Sequence, residues 1–286
     1  MRDQWEESEP VVVVNHGAGW LTEDRFWEMV PRDYAEIMIR ATEASIRSAD
    51  VVIVPSQYTR ASLINGMGRD PESVVAVAHG VDTSVFRPRP EAAIETVPAA
   101  PGGEIPYVAF ASIPSIRQKN LGALKQAIGI LAARGLPHTL VIAGGTAGGE
   151  SEDYLAEIRS DPPGAPGRVA WPGQLDDVAL AELMAGAAAC CLPSLFESFG
   201  LTALESIACG APTVVSDRGA LPEVVGDAGL VTSPDPESLA NALERVLLDA
   251  ELSRRLRAAG PARAAGFSWD RTAAGWLSAL RRAAGS

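Results

Sequence analysis

The stretch Ala188–Ser216, AACCLPSLFESFGLTALESIACGAPTVVS, decides how the rest of the chain is read. It opens on a short apolar run, Ala188–Leu192, bounded by Pro193, which reads as a buried strand. Gly200–Cys209 follows as a helix with Gly210 at its stop, and Thr213–Ser216 is a second, β-branched strand. Strand, helix and strand in this order make a parallel pair joined by a crossover. The helix opens near Phe199–Gly200–Leu201, where backbone N–H groups and the positive end of the helix dipole face outward. A diphosphate suits that position, and Gly200 lets the backbone approach it closely. Glu197 precedes the helix, and Glu205 lies eight residues on, inside it. Glu197 is suited to accept hydrogen bonds from sugar hydroxyls, and Glu205 from both ribose hydroxyls. A buried-face helix carrying two solvated glutamates has the same spacing, so spacing alone leaves both readings open.

The same grammar extends in both directions. Toward the N-terminus, Val11–Val14, Val51–Val54 and Val74–Ala78 read as strands. A helix over Tyr34–Ser48 and a second one capped by Ser56 and running through Asn65 separate them. Between Phe86 and Pro106 the pattern breaks into Pro88, Pro90, Pro98, Pro101, Pro106 and Gly102–Gly103, an interdomain linker. Strands then resume at Tyr107–Ala111, Thr139–Ala143 and Arg168–Trp171. Helices alternate with them at Asn120–Arg134 and at about Asp177–Ala185, with Asp176 as its cap. Helices at Pro236–Asp249, Glu251–Ala259 and Ser268–Arg282 finish the chain. The fold class is therefore α/β, with two Rossmann-like parallel-sheet units, the first of about three strands and the second of about six. Ligands of such sheets bind beyond the carboxyl ends of strands, so a cleft between the units is the expected site.

Composition narrows the class. The chain has 286 residues, 47% of them apolar and 21% charged, which fits a globular protein and excludes a disordered one. Thirty-six acids against 24 bases give a net charge of -12, which repels phosphate backbones, so no nucleic acid partner is expected. The longest apolar stretches, Val11–Val14 and Ala185–Leu192, fall far short of the ~20 residues of a transmembrane span. The N-terminal MRDQWEESEP is acidic where a secretion signal is basic and then apolar, so a cytoplasmic location is expected. Cys190, Cys191 and Cys209 form neither a disulfide framework nor a metal signature and read as buried free thiols in a reducing compartment. Gly17–Ala18–Gly19 begins like a dinucleotide fingerprint, but Thr22 replaces its third glycine. No complete G-x-G-x-x-G follows a strand, which argues against an NAD enzyme.

The segment PSLFESFGLTALESIACG resembles the Glu-x7-Glu signature of the retaining glycosyltransferases of family 4 (group 1), which have the GT-B fold. The resemblance continues through Arg168–Gly173, Glu182–Ala188, Ala208–Pro212, SDRGALPEVVGDAG and Phe267–Trp269 in the family's order. Upstream, HGVDTSVFRP at His79–Pro88 is similar to the family's strand-to-linker passage. It covers about Val11 to Trp276. On that resemblance, residues 1–88 are a shortened N-terminal, acceptor-side domain, 89–106 the linker and 107–266 the nucleotide-sugar donor domain. Residues 267–286 are a helix packing back on the first domain.

The resemblance also implies roles. Lys119 would neutralise the donor diphosphate and the leaving group, with Arg117 assisting. Glu197 would contact the transferred sugar, and Phe199, Gly200 and Leu201 would give backbone amides to sugar or phosphate. Glu205 would bind the nucleotide ribose, and Gly173, Gln174 and Leu175 would lie near the base. His16 resembles the family histidine on the acceptor side, a loop-capping histidine being the competing reading. No cofactor is implied beyond the nucleotide diphosphate sugar, GDP- or UDP-linked. The resemblance implies transfer of a hexose (mannose, glucose or N-acetylglucosamine type) with retention, and the absence of any Asp-x-Asp fits transfer without metal. The acceptor would be a carbohydrate or a lipid-linked molecule.

Departures from the pattern sharpen the reading. Pro114 stands where the family usually has arginine, in a subgroup-like stretch, ASIPSIRQKN, with two extra residues. Ser198 and Thr202 stand where glycine and proline are common and bear on the donor. His79 replaces the usual asparagine and reads as a turn residue, whereas His138 reads as a surface-loop residue. The front of the N-terminal domain is short, which leaves a sheet edge for a partner chain to complete. The alternative is a non-catalytic or partner-dependent nucleotide-sugar-binding module.

Overall fold

A computed structural model of the chain describes residues 10–15, 32–89, 106–114, 117–146, 152–162, 164–165 and 168–285. The chain divides into two compact units. The first holds residues up to Gly80 together with Phe196–Phe199 and Phe267–Ser286, and the second holds Val81–Leu195 and Gly200–Gly266. Of the expected linker, residues 90–105 lie outside the described residues.

The first unit is built on a three-stranded sheet, β1 (Val12–Val14), β2 (Val51–Val54) and β3 (Val74–Ala76), in the order β1-β2-β3 and parallel throughout. Helices α1 (Arg32–Ser48) and α2 (Gln57–Met67) make the crossovers, and α10 (Trp269–Ala283) joins the same unit. The run VVIV is apolar at every position because both faces of β2 are covered. Val52 and Val54 pack with Ile46 of α1 and Leu63 of α2, while Val51 and Ile53 pack with Trp276 and Ala279 of α10. Ser56 caps α2 by accepting the Thr59 N–H at 3.0 Å, and Gly68 closes the helix in the left-handed conformation. Thr272 of α10 donates its hydroxyl to the Ala78 carbonyl at 2.7 Å, and Arg282 pairs with Glu72 at 2.7 Å.

The second unit carries a six-stranded parallel sheet in the order β6-β5-β4-β7-β8-β9. The strands are β4 (Tyr107–Ala111), β5 (Thr139–Ala143), β6 (Val169–Gly173), β7 (Ala189–Leu192), β8 (Thr213–Ser216) and β9 (Gly229–Thr232). Between them run α3 (Leu121–Ala133), α4 (Glu152–Arg159), α5 (Asp177–Gly186), α6 (Leu201–Ala208) and α7 (Leu221–Val225), and after them α8 (Pro236–Leu248) and α9 (Ala250–Ala264). Val108, Phe110, Leu140, Ile142, Ala189, Cys191 and Val214 face a core shared with α3, α8 and α9. The alternate residues Ala109, Val141, Cys190 and Val215 are equally buried on the opposite face. There Tyr107 donates its hydroxyl to the Leu183 carbonyl of α5 at 2.7 Å. All three cysteines are buried free thiols.

Two sequence expectations need correction. His138 is not on a surface loop: it is 7% exposed, its Nδ1 lies 3.1 Å from the Leu136 carbonyl oxygen, and burial lowers its pKa. The helix expected to end at Ala259 continues to Ala264 through Gly260 and Pro261. Gly260 lies so close to α6 that a Cβ there would stand 2.3 Å from the Ile207 carbonyl oxygen, and this packing outweighs the local breaking tendency. Asp176 does cap α5, accepting the Ala179 N–H at 2.8 Å.

Candidate functional site

In the second sheet the chain runs outward from β4 to β5 and β6, then returns to β7 and runs the other way to β8 and β9. Strands β4 and β7 are therefore neighbours at the point where the strand order reverses, the place where open α/β sheets receive ligands. The two segments that carry the expected charges leave these two strands. After β4 come Arg117–Lys119 in a 3₁₀ turn, and after β7 comes Pro193–Leu195, leading to the Glu197 segment. Two hydrogen bonds tie them together within the second unit. Leu195 N–H donates to the Gln118 carbonyl at 2.8 Å, and Asn120 Nδ2 donates to the Pro193 carbonyl at 3.1 Å.

Asn120 is the N-cap of α3 and the one non-glycine among the described residues with positive φ, at 57°. Asparagine tolerates this left-handed conformation better than most residues. Its amide also donates to the Pro234 carbonyl at 2.9 Å, so one side chain fixes three loops directly behind Lys119. Lys119 is half-buried and Arg117 exposed.

A cleft of about 260 Å³ opens beyond the carboxyl ends of β4, β5 and β6. It is lined by backbone segments 111–113 and 143–146 and by Gln174, Leu175, Leu180 and Thr202. The expected base-side residues Gln174 and Leu175 are thus on its wall. Gly173, with φ of 82°, turns the chain out of β6, and its carbonyl accepts the Gly144 N–H at 2.8 Å. Gly144 admits no side chain, since a Cβ would stand 1.9 Å from the Ser112 carbonyl oxygen. Gly144 and Gly145 were not among the expected site residues, whereas Thr202, expected to bear on the donor, lies on the same wall. The Gly-Gly pair directly after strand Thr139–Ala143 is the sequence signal that points to the first two.

Helix α6 begins at Leu201. Its N-cap, Gly200, has φ of 100° and provides no side-chain cap, while its carbonyl accepts the Ala203 N–H at 3.0 Å and the Leu204 N–H at 3.1 Å. A Cβ at Gly200 would stand 2.7 Å from Leu221 Cδ2. One turn on, the Glu205 carboxyl is in a partly buried site. Burial, with repulsion from Asp177 added, pushes its pKa up to about 7. Such a carboxylate lacks hydration and gains from hydroxyl donors that a ligand brings.

The remaining expected residues fall elsewhere. Glu197, Ser198 and Phe199 belong to the first unit, whereas the signature's second half, Gly200 to Glu205, belongs to the second. Phe199 is buried against His79, with ring centroids 5.0 Å apart, and against Phe267 at 6.1 Å. His16 lies outside the described residues.

The sequence profile of the group 1 glycosyl transferases matches residues 109–263, more than half the chain, and that of glycosyltransferase family 4 matches residues 4–85. The chain belongs to this glycosyltransferase family. Among its relatives is a D-inositol 3-phosphate glycosyltransferase of Thermobifida fusca, 32% identical over 87% of this chain and 58% of the relative. Another is an MMP alpha-(1->4)-mannosyltransferase of Mycolicibacterium hassiacum, 30% identical over 91% of this chain and 60% of the relative. The chain therefore spans about three-fifths of their length. The sucrose-phosphate synthase of Thermosynechococcus elongatus has a similar structure, with a TM-score of 0.78 and 25% identity over 98% of this chain and 69% of that one. Anabaena Alr3699/HepE, solved with UDP and glucose, matches with a TM-score of 0.73 and 20% identity over 95% and 71% of the two chains. The fold is GT-B-like. Among the described residues, no helix of the chain is long and apolar enough to cross a membrane.

Proposed function

We propose that this chain transfers a hexose from a nucleotide diphosphate sugar to an acceptor hydroxyl, with retention of configuration and without a divalent metal. The observation that carries the reading is the switch point between β4 and β7. It bears Lys119 on one loop and the uncapped N-terminus of α6 shortly beyond the other, two sources of positive potential suited to a departing diphosphate. The cleft bordered by Gln174 and Leu175 takes the nucleoside base, and Glu205 takes the ribose hydroxyls. Family membership and the relatives' names support a sugar donor, and the UDP held by the Anabaena protein supports a nucleotide one.

In the proposed step the bond from the sugar C1 to the diphosphate oxygen breaks and the acceptor oxygen bonds C1 on the same face. The acceptor proton passes to the departing phosphate oxygen. Lys119, with Arg117 assisting, and the amides of Phe199, Gly200 and Leu201 hold the phosphate charge, while Glu197 orients the sugar. His16 is assigned to the acceptor side.

The test is donor turnover with UDP-glucose, UDP-N-acetylglucosamine and GDP-mannose in EDTA, following release of the nucleoside diphosphate and the anomer formed. Release from one donor with retained configuration, unaffected by EDTA, is the expected result. Turnover that requires added metal, or an inverted product, contradicts the mechanism. A second reading is a nucleotide-sugar-binding module that does not itself turn the donor over, and the same assay tells the two apart. That reading predicts nucleotide binding without turnover.

A further inference from the structure

The Ser198 carbonyl, one residue past Glu197, is gripped by two hydroxyls from the first turn of α2. Ser56 Oγ donates to it at 2.7 Å and Thr59 Oγ1 at 3.2 Å. The hydroxyls lie 2.9 Å apart and are sealed from solvent, Ser56 being 2% and Thr59 0% exposed. Ser56 Oγ also accepts the Thr59 N–H at 3.0 Å. Each hydroxyl has one proton to give, so at least one goes to the Ser198 carbonyl and the other goes to the same carbonyl or to the neighbouring hydroxyl. On either side the chain is anchored by rings, Phe196 against Tyr58 at 6.1 Å and Phe199 against His79 at 5.0 Å. All of these residues belong to the first unit.

The peptide bond between Ser198 and Phe199 is planar and trans, so its C=O and N–H point in opposite directions. Drawing the Ser198 oxygen onto the start of α2 therefore aims the Phe199 N–H away from α2. It also fixes the backbone from which the Glu197 side chain departs. We propose that Ser56 and Thr59 are positioning residues of the transfer site, their paired hydroxyls setting the Phe199 amide and Glu197 toward the transferred sugar. This rests on the donor reading above and adds to it two residues more than 130 positions away in sequence from the segment they hold. Satisfying a buried carbonyl is a structural service that any donor could provide. A catalytic alignment is sensitive to placement, a shift of about 1 Å costing on the order of 10²-fold in rate.

The experiment uses the full chain with Thr59→Val, Thr59→Ser, the double variant Ser56→Ala/Thr59→Val, and Glu197→Ala. Thr59→Val keeps the shape and removes the hydroxyl, and Thr59→Ser keeps the hydroxyl. The readouts are affinities for UDP and GDP, affinities for UDP-glucose and GDP-mannose, and nucleoside diphosphate release with water as acceptor. The double variant is expected to hold the free nucleotide within about twofold of wild type, to lose the extra affinity due to the sugar, and to slow release by about 10²-fold. Thr59→Ser is expected to stay within about threefold of wild type. Should the double variant not fold, Thr59→Val decides on the same criteria with a smaller loss. A folded double variant that keeps both the sugar increment and the release rate, where Glu197→Ala loses them, overturns this inference alone. If Glu197→Ala also keeps them, the donor reading falls and the inference with it.

Discussion

Lys119→Ala is expected to slow donor turnover by about 10²–10³-fold with little change in thermal stability. The lysine follows β4 at the reversal of strand order and is backed by two hydrogen bonds that do not involve its own side chain: Leu195 N–H to the Gln118 carbonyl, and Asn120 Nδ2 to the Pro193 carbonyl. Removing the ammonium leaves those two bonds in place and takes away its charge. The developing negative charge of the leaving diphosphate then faces only the more screened Arg117 and the backbone amides, so the loss falls on turnover more than on ground-state binding. Arg117→Ala is expected to cost less, because Arg117 is exposed and its charge is screened by solvent. Rates of nucleoside diphosphate release from the donor check both variants. A Lys119→Ala enzyme with near wild-type turnover would remove Lys119 from the leaving-group role.

Glu205→Gln is expected to stabilise the chain at alkaline pH and to leave it unchanged in acid. The folded carboxyl has its pKa raised to about 7 from 4.5, by burial first and by Asp177 second. The unfolded carboxyl is already ionised above its ordinary value, whereas the folded one holds its proton until pH 7. Stability therefore falls as pH rises from about 4.5 to 7 and then levels off. Allowing for partial exposure, the penalty is about 2 kcal/mol. That corresponds to a rise of about 3 °C in Tm for Glu205→Gln at pH 8 and almost none at pH 4.5. Thermal unfolding across this pH range checks it; equal Tm values for the two proteins at pH 8 contradict it. The same group is expected to couple to the ligand, because ribose hydroxyls donating to the carboxylate favour its ionised form. Binding of a sugar nucleotide near pH 6.5 should accordingly release a proton from wild type and not from Glu205→Gln.

The central strands were legible because each is a short β-branched or apolar run buried at every position. Thr139–Ala143 and Thr213–Ser216 stand where the sequence places them. Strand β9, Gly229–Thr232, was harder to see because it is half-exposed at the sheet edge and begins on a glycine, so it lacks a continuous apolar run. Helix α9 passes through Gly260–Pro261 because close packing on Ile207 overrides a local signal to stop. His138 looked like a loop residue beside Pro137, and only the tertiary fold buries it. In the site, the Glu-x7-Glu spacing and the uncapped glycine were visible in sequence. The assignment of Glu197 to one unit and Glu205 to the other was not, since which unit a loop packs with depends on contacts distant in sequence. For the same reason Ser56 was legible as a helix cap while its hold on Ser198 was invisible.

The central claim, a nucleotide donor site in the second unit, is tested most directly by thermal unfolding of the full chain with UDP, GDP and ADP in EDTA, for wild type and Glu205→Ala. At about 100 times its Kd a ligand stabilises by about 2.7 kcal/mol, well within reach of the measurement. The account predicts that one nucleoside diphosphate raises the Tm of wild type and shifts Glu205→Ala much less. Wild type unmoved by all three, or a Glu205→Ala shift as large as that of wild type, would contradict it.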